Sequence, residues 1–296
     1  MNILISGASG LIGTALSSQL RDAGHTVYPL SRRDTGQPFY WRPEKGIILF
    51  DDSIRLDAVI NLAGENIAEG RWNKIRKKRI VDSRIDSTRL LSDKLASLAH
   101  RPDVFISGSA IGFYGSRGDE IMDETSSHGT GFLAEIGTAW EDATRAAEDA
   151  GIRTVHIRTG IVLSPRGGVL KKMLLPFRFG LGGVIGDGRQ YMSWISIDDE
   201  VNAISFLLHN TELSGPFNLV APAPVTNREF TRKLGKVLKR PTPFPMPAPV
   251  VRLMFGEMGD ELLLSSTRVA PVRLEQAGYA FRHTDFEQAL KDLISR

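Results

Sequence analysis

The sequence contains no cysteine, and this absence excludes two classes of site. A chain of 296 residues without cysteine forms no disulfide and offers no thiolate to a metal ion. Its six histidines do not fall at the short spacings that zinc sites use. We therefore expect neither a disulfide framework nor a metal site.

A leader sequence and long apolar runs are missing as well. The first residues enter a short strand-like run directly, with no basic region and long apolar stretch before it. No stretch is long enough to cross a bilayer. We expect no membrane partner and a cytoplasmic location. With 42% hydrophobic residues, the chain has enough apolar material for a sizeable core.

The small net charge of +3 hides a local concentration of cations. Residues 71–89 carry eight Lys or Arg against two Asp, so the rest of the chain is slightly acidic. Such a cluster is typical of a nucleic-acid surface, a solvated helix face or a cleft that attracts an anionic substrate. Trp72 is the one aromatic residue within the cluster, and stacking on single strands needs more. We expect no nucleic-acid partner, and the other two interpretations remain open.

The opening stretch MNILISGASGLIGTAL places three glycines at a strand-to-helix junction. Residues 2–6 have the pattern of a buried strand, and residues 11–20 have helical apolar spacing. Gly7 suits a tight turn, Gly10 a close approach to a pyrophosphate, and Gly13 close packing of helix on strand. The first amides of such a helix bind phosphate. We predict the following contacts for a dinucleotide in this loop: Gly7, Ser9, Gly10, Leu11, Ile12 and Gly13.

The second strand-like run, HTVYPL, leads into Ser31, Arg32 and Arg33. In a dinucleotide fold this position lies beside the adenine ribose, where NAD-preferring sites carry a carboxylate. A hydroxyl and two guanidiniums instead suit a 2′-phosphate through charge-assisted hydrogen bonds. The sequence therefore favours NADP (NADPH) over NAD, and two solvated arginines in a loop are the alternative.

Later strand-like runs are LDAVINLAG, DVFISGSAIGFYG and IRTVHIRTGIVLS, separated by helical patterns. This alternation predicts an α/β fold with a doubly wound, mostly parallel sheet. Ligands of such a sheet bind at the carboxyl ends of the strands. We therefore expect the end of the first run, Leu62, Ala63 and Gly64, to lie against the cofactor.

The order of these stretches resembles that of the extended short-chain dehydrogenase/reductase superfamily. The matching stretches are GASGLIG, NLAG, SGSAIGFYG, HIRTGIVLS, WISIDDEVNAI and FNLVAPAPVTNREFTRKLGKVLKRP. The stretch LLPFRFGLGGVIGDGRQYMSWI and the tail PVRLEQAGYAFRHTDFEQALKDLI are similar to its atypical "epimerase family" branch. The resemblance implies a Rossmann domain over residues 1–165. It also implies a smaller C-terminal α/β substrate lobe over residues 166–296, with some segments returning to the main sheet.

In that superfamily a Ser or Thr steadies the reacting oxygen, a Tyr moves its proton, and a Lys holds the nicotinamide ribose. Ser109 matches the serine, with Ser107 as the second choice. The helix that should carry Tyr and Lys reads FLAEIGTAWEDATRAAE and contains neither. Leu133 and Gly137 stand at those positions, and Arg84 stands where the superfamily has a further active-site Asn.

Three candidates for the missing proton donor remain open. Tyr114 follows the strand that carries the serine, and an aromatic packed in the core is the alternative. Glu135 and Glu141 lie on the helix itself, where an exposed helix face is the alternative. Tyr191 is placed to reach the mouth of the cofactor site from the second lobe, although a core role fits equally.

On the substrate side we predict contacts from Arg84, Lys78 and Tyr191, and either cation would also lower the pKa of Tyr114. Two functions follow. The first is an NADP-dependent oxidoreductase or epimerase that acts on a small polar or anionic molecule. The second is a non-catalytic NADP(H)-binding sensor or assembly protein, which the missing Tyr and Lys suggest. An oligomer is compatible with both.

Overall fold

A computed structural model describes residues 1–33 and 36–295. The strands in this part of the chain are β1 Asn2–Ser6, β2 Thr26–Leu30, β3 Phe39–Arg42, β4 Ile47–Phe50, β5 Ala58–Asn61, β6 Val104–Ala110, β7 Ile121–Met122, β8 Arg153–Thr159, β9 Ile161–Leu163, β10 Tyr191–Met192, β11 Trp194–Ser196, β12 Gly215–Leu219, β13 Val225–Thr226 and β14 Arg268–Val269.

The helices in the same part are α1 Leu11–Asp22, α2 Lys74–Asp82, α3 Ile85–Ser97, α4 Phe132–Asp142, α5 Arg145–Asp149, α6 Gly168–Arg178, α7 Ile197–His209, α8 Asn227–Leu238, α9 Ala248–Phe255, α10 Glu257–Gly259, α11 Val272–Gln276 and α12 Phe286–Ile294. Short 3-10 turns lie at Pro43–Lys45 and Ile111–Tyr114, and a π turn lies at Asp260–Leu264.

A six-stranded sheet with the order β12-β8-β6-β5-β1-β2 forms the centre of the structure. Every neighbouring pair in it is parallel. The strands are nearly continuous apolar runs, as parallel strands covered on both faces require. The chain leaves β1 in one direction towards β2 and then returns to β5 on its other side. Their carboxyl ends therefore open a crevice of the kind that holds dinucleotides.

Helices cover both faces of this sheet and so confirm the doubly wound α/β prediction. On one face, α1 and α7 bury residues such as Leu16, Leu20 and Leu207 against the strands. On the other face, α3 contributes Leu91 and Leu95. Because side chains alternate along a strand, neighbouring residues of β6 or β8 face different helix layers.

The C-terminal part of the chain is joined to the main sheet through short strands and one buried carboxylate. β12 pairs with β8, β11 with β9 and β14 with β7, all in parallel. Asp199, at the start of α7, accepts backbone N–H groups of Arg282 at 2.7 Å and His283 at 3.0 Å. These bonds fix the C-terminal segment to the start of α7. Among the described helices, none combines the length and the apolar content that crossing a bilayer would require.

Candidate active site

The glycine-rich loop between β1 and α1 is packed too closely for side chains at two of its glycines. Gly7 has a φ of +69°, and a Cβ there would lie 2.6 Å from the carbonyl oxygen of Leu62. A Cβ at Gly13 would lie 2.2 Å from the carbonyl oxygen of Gly7. Only glycine fits at either position without a shift of the backbone. The close packing brings the first turn of α1 against the ends of β1 and β5.

The N-terminus of α1 is open to an anion. The helix starts at Leu11, Gly10 provides no side-chain cap, and the first turn contains no acidic residue. Such a terminus leaves backbone N–H groups free and carries partial positive charge. The amides of Leu11, Ile12 and Gly13 therefore suit a diphosphate, with Ser9 beside them.

A crevice of about 430 Å³ adjoins this loop. Ser9, Gly10 and Thr14 line one side of it, and Arg166 lies on the other side, in the segment after β9. Arg166 is exposed, so its guanidinium can reach an anion that occupies the crevice. No sequence motif indicated this residue.

Ser31, Arg32 and Arg33 directly follow β2, on the same edge of the sheet. The Ser31 hydroxyl accepts the Arg33 backbone N–H at 3.0 Å and donates to the Arg33 carbonyl at 2.9 Å. The two arginine side chains are exposed. Because the serine hydroxyl is used within this turn, the guanidiniums are the groups available to a 2′-phosphate.

The segment after β5 completes this edge. The carbonyl of Leu62 lies against Gly7, and Ala63 and Gly64 follow it. A Cβ at Gly64 would lie 3.2 Å from the Arg84 guanidinium carbon. Arg84 therefore reaches the edge of the sheet where the nucleotide loop lies.

A second cavity, here called the central cavity, lies at the carboxyl ends of β6 and β8 and has a volume of about 350 Å³. The main sheet contributes Ser109 and Thr159, and α4 contributes Leu133 and Trp140. Segments of the C-terminal half cover it. Apolar side chains form most of the wall, and Arg84 and Glu261 are the lining residues, among those described, with charged side chains.

Ser109 donates a hydrogen bond of 2.7 Å to Oε1 of Glu141. Arg158 holds the same carboxylate through both oxygens, at 2.7 and 2.8 Å. Burial raises the pKa of Glu141, but the hydrogen bonds and charge of Arg158 outweigh this effect and lower it overall. Because Glu141 is ionised, it only accepts, and the Ser109 proton points to it. The lone pairs of the serine oxygen are therefore free for the cavity.

Arg84 lies on the cavity wall with its guanidinium carbon 5.1 Å from the centre of the Trp140 ring. Its hydrogen bonds go to neutral acceptors, the carbonyls of Glu65 at 3.0 Å and Ile80 at 3.3 Å. Burial lowers its pKa to about 10, so the side chain is still charged at neutral pH. Arg84 is thus a cation that faces a mostly apolar space.

Tyr191 brings a phenol to the central cavity from the start of β10. The Arg268 guanidinium carbon lies 4.6 Å from the centre of its ring. The Tyr191 hydroxyl makes no hydrogen bond within the described part of the chain. The Tyr191 hydroxyl is therefore available to a ligand, whereas the hydroxyl of Tyr114 already forms hydrogen bonds within the protein.

The helix α4 is pressed against the 3-10 turn at Ile111–Tyr114. A Cβ at Gly137 would lie 3.0 Å from the Cα of Phe113, and one at Gly112 would lie 3.1 Å from the Cβ of Leu133. A side chain at position 137 would therefore require the turn to shift by a few tenths of an ångström.

Comparison with known proteins agrees with this geometry. Residues 3–219 match the NAD-dependent epimerase/dehydratase family, and residues 246–293 match a domain of unknown function, DUF1731. The chain belongs to the NAD-dependent epimerase/dehydratase family. This membership confirms the resemblance to extended short-chain dehydrogenases/reductases that the sequence motifs indicate.

Full-length relatives of this family carry no more specific name than "epimerase family protein". Epimerase family protein Mb2239 of Mycobacterium bovis is 47% identical over 290 residues, which are 97% of this chain and 96% of that protein. The crystal structure of human epimerase family protein SDR39U1 with NADPH is 34% identical, with a TM-score of 0.91 and complete coverage of both chains. A Corynebacterium glutamicum structure described as a nucleoside-diphosphate sugar epimerase is 37% identical, with a TM-score of 0.82, over 99% of this chain and 58% of that one.

Within this epimerase-family site, the predicted proton donor Tyr114 lies away from the central cavity. Its side chain is fully buried and does not line the central cavity. The hydroxyl donates to Asn218 at 2.8 Å and accepts from Arg158 at 2.9 Å. Burial raises its pKa to about 12, and neither Arg84 nor Lys78 is among the groups that lower it. Tyr114 is a core residue.

Lys78, predicted as a substrate contact, also lies away from the central cavity. Its side chain is exposed, forms an ion pair with Asp82 at 2.7 Å, and does not line the central cavity. Most of the basic segment is neutralised in the same way, since Arg79 pairs with Glu65 at 3.0 Å and Lys77 with Glu257 at 2.7 Å.

Glu135 and Ser107, two alternatives considered from the sequence, also lie away from the central cavity. Glu135 is exposed on α4 and lies outside the cavity. Ser107 is fully buried and does not line the cavity either, so Ser109 is the serine that faces it.

Two buried carboxyl groups of this site were not predicted. Glu200 is fully buried in α7, where its Oε1 accepts the Thr159 hydroxyl at 2.8 Å and its Oε2 has no partner. Burial raises its pKa to about 8. The sequence does contain a signal for this burial. Glu200 lies three residues after Ile197, which places it on the apolar face of α7. Burial also raises the pKa of Glu261, although backbone amides at the start of α4 oppose this.

Proposed function

We propose that this protein is an NADPH-dependent oxidoreductase, or an epimerase that works through the same step, and that its substrate is a small anionic molecule. The glycine loop, the open N-terminus of α1 and the exposed Arg32 and Arg33 fit a dinucleotide with a 2′-phosphate. The NADPH in the human relative supports the same cofactor. The cofactor supplies a hydride when bound, and reduction of a carbonyl consumes this hydride and one proton to give an alcohol and NADP⁺.

The chain's own side chains then have to hold the reacting oxygen and move the proton. Tyr191 is the proposed proton donor, because it brings a free phenol into the cavity whose α4 wall has none. Ser109 is the proposed positioning group for the same oxygen. With its proton held by Glu141, Ser109 can only accept, so it binds this oxygen in the alcohol form, as the acceptor for the hydroxyl that reduction creates or that oxidation consumes. Arg84 is proposed to bind the anionic part of the substrate.

The observation that carries this proposal is that Ser109 and Tyr191 share one cavity, and that Arg84 on its wall also lies against Gly64 after β5. The test is oxidation of NADPH by a panel of carbonyl compounds, followed in wild type, Tyr191→Phe and the control Tyr28→Phe. General acids contribute about 10²–10⁴ to a rate, so Tyr191→Phe should lower kcat by about 10²-fold or more. The NADPH affinity of Tyr191→Phe should stay within about twofold of the wild-type value. Equal kcat values in the two variants would rule out Tyr191 as the donor.

A non-catalytic NADP(H)-binding protein is the second candidate, and the packing of α4 favours it. Leu133 and Gly137 carry no transferable proton at the positions where the superfamily has Tyr and Lys, and a side chain at position 137 would crowd the neighbouring turn. Under this alternative NADPH binds, no carbonyl compound oxidises it, and Tyr191→Phe changes neither result.

A further inference from the structure

Within residues 1–33 and 36–295, the charge of Arg84 has no carboxylate paired with it. Glu65 is the acidic group whose charge acts on Arg84, but its side chain forms ion pairs with Arg76 and Arg79. Arg84 itself forms no ion pair with any described carboxylate, and its own bonds go to carbonyl and hydroxyl oxygens. A mostly buried cation is costly unless an anion pairs with it. The central cavity on which Arg84 lies is the space where such an anion fits.

The rest of the cavity wall is poorly suited to a polyhydroxylated substrate. The side of α4 that faces it presents Leu133, Ile136 and Trp140, with Ile80 and Ile111 nearby. A hydroxyl placed against such a wall loses its hydrogen bonds to water and gains none.

Several polar side chains that line the cavity are already engaged with the backbone. Ser193 donates to the carbonyl of Thr267 at 2.9 Å and accepts the N–H of Val269 at 2.8 Å. The side-chain oxygen of Asn227 accepts the N–H of Ile185 at 2.8 Å. The Glu261 carboxylate binds backbone amides at the start of α4. The groups left for a ligand include a guanidinium, two hydroxyls and an apolar surface.

We infer that the substrate is an apolar carbonyl compound with one carboxylate, such as an aliphatic or aromatic oxoacid, whose carboxylate pairs with Arg84. The apolar body lies on the α4 wall, and the carbonyl oxygen accepts a hydrogen bond from the Tyr191 hydroxyl. After reduction, the new hydroxyl donates to the Ser109 oxygen. This inference rests on the proposed function for the identity of the reacting group. It separates this chain from the nucleoside-diphosphate sugar chemistry named for the Corynebacterium glutamicum protein.

The test compares ligands that differ only in the carboxylate. Phenylpyruvate and 4-methyl-2-oxopentanoate are each paired with the ketone that has a methyl group in place of the carboxylate. UDP-glucose is the sugar-nucleotide reference. Dissociation constants are measured by calorimetry with the full chain and saturating NADP⁺. They are measured for wild type, Arg84→Met, Arg84→Lys and the control Arg89→Met, an exposed arginine on α3 that does not line the cavity.

At least one oxoacid should bind wild type about tenfold or more tightly than its ketone, as expected for a charge-assisted pair. Arg84→Met should abolish this preference, Arg84→Lys should restore part of it, and Arg89→Met should retain it. NADP⁺ affinity, measured separately for each variant, shows that the variant is folded.

Several results would overturn the inference. These are tighter binding of UDP-glucose than of both oxoacids, no preference for either oxoacid over its ketone, or an Arg84→Met variant that loses NADP⁺ affinity while it keeps the preference. The last result would assign Arg84 to the cofactor. Failure of the proposed function is distinct, since the oxoacid then binds in an Arg84-dependent way while no carbonyl compound oxidises NADPH.

Discussion

Substitution of Glu200 by Gln should make the protein more stable at neutral pH, and the gain should grow with pH. Glu200 is fully buried, has one hydrogen bond to Thr159, and has an unpartnered second oxygen. Burial raises its pKa from the ordinary 4.5 to about 8. The folded protein therefore holds a proton that the unfolded chain releases above pH 4.5. The full stability is present below that pH and is lost as the pH rises towards 8.

The magnitude follows from these two pKa values. Each pH unit between them lowers the free energy of unfolding by about 1.4 kcal/mol. Between pH 5.5 and 7.5 the loss from this one group is about 2.5 kcal/mol. Gln has the same shape and no charge to bury, so Glu200→Gln lacks this loss. Its advantage over wild type should increase by that amount over the interval, which corresponds to a change of about 5 °C in Tm.

Urea unfolding at pH 5.5, 6.5 and 7.5 measures this difference directly. Glu212→Gln serves as the control, because it makes the same substitution at an exposed position. A constant offset between Glu200→Gln and wild type at all three values would show that the hydrogen bond to Thr159 matters and the proton does not. An advantage that shrinks with increasing pH would refute the reasoning.

Two further predictions concern residues on either side of the site. Arg32→Ala should weaken NADPH binding about tenfold or more and leave NADH binding nearly unchanged, because the exposed guanidinium is placed for the 2′-phosphate. Fluorescence titration measures both affinities, and equal losses for the two cofactors would disprove that assignment. Tyr114→Phe should lower the free energy of unfolding by about 1–3 kcal/mol, because the Arg158 and Asn218 side chains lose a buried partner. A large loss of kcat with unchanged stability would instead support Tyr114 as a proton donor.

The order of the elements could be predicted from the sequence because the signals are local. Apolar runs and the glycines at positions 7, 10 and 13 report on neighbouring residues, and the parallel sheet follows from their alternation. The direction of Tyr114 could not be predicted. It lies four residues beyond β6, and the 3-10 turn at Ile111–Tyr114 directs it into the core, where Arg158 and Asn218 bind it. Those partners come from β8 and β12, far away in the chain.

The residues of the central cavity also differ in how well they could be predicted from the sequence. Its α4 wall could be assessed from the sequence, because the family pattern of Tyr and Lys lies within one helix. The groups that replace them come from elsewhere: Arg84 from the start of α3 and Tyr191 from β10. At position 137 a side chain would crowd the turn at Phe113. Leu133 and Gly137 carry no transferable proton, and Glu141, also on α4, is bound by Ser109 and Arg158. The proposed proton transfer is therefore assigned to Tyr191. This assignment makes the C-terminal part, which carries Tyr191, a necessary component of the proposed chemistry.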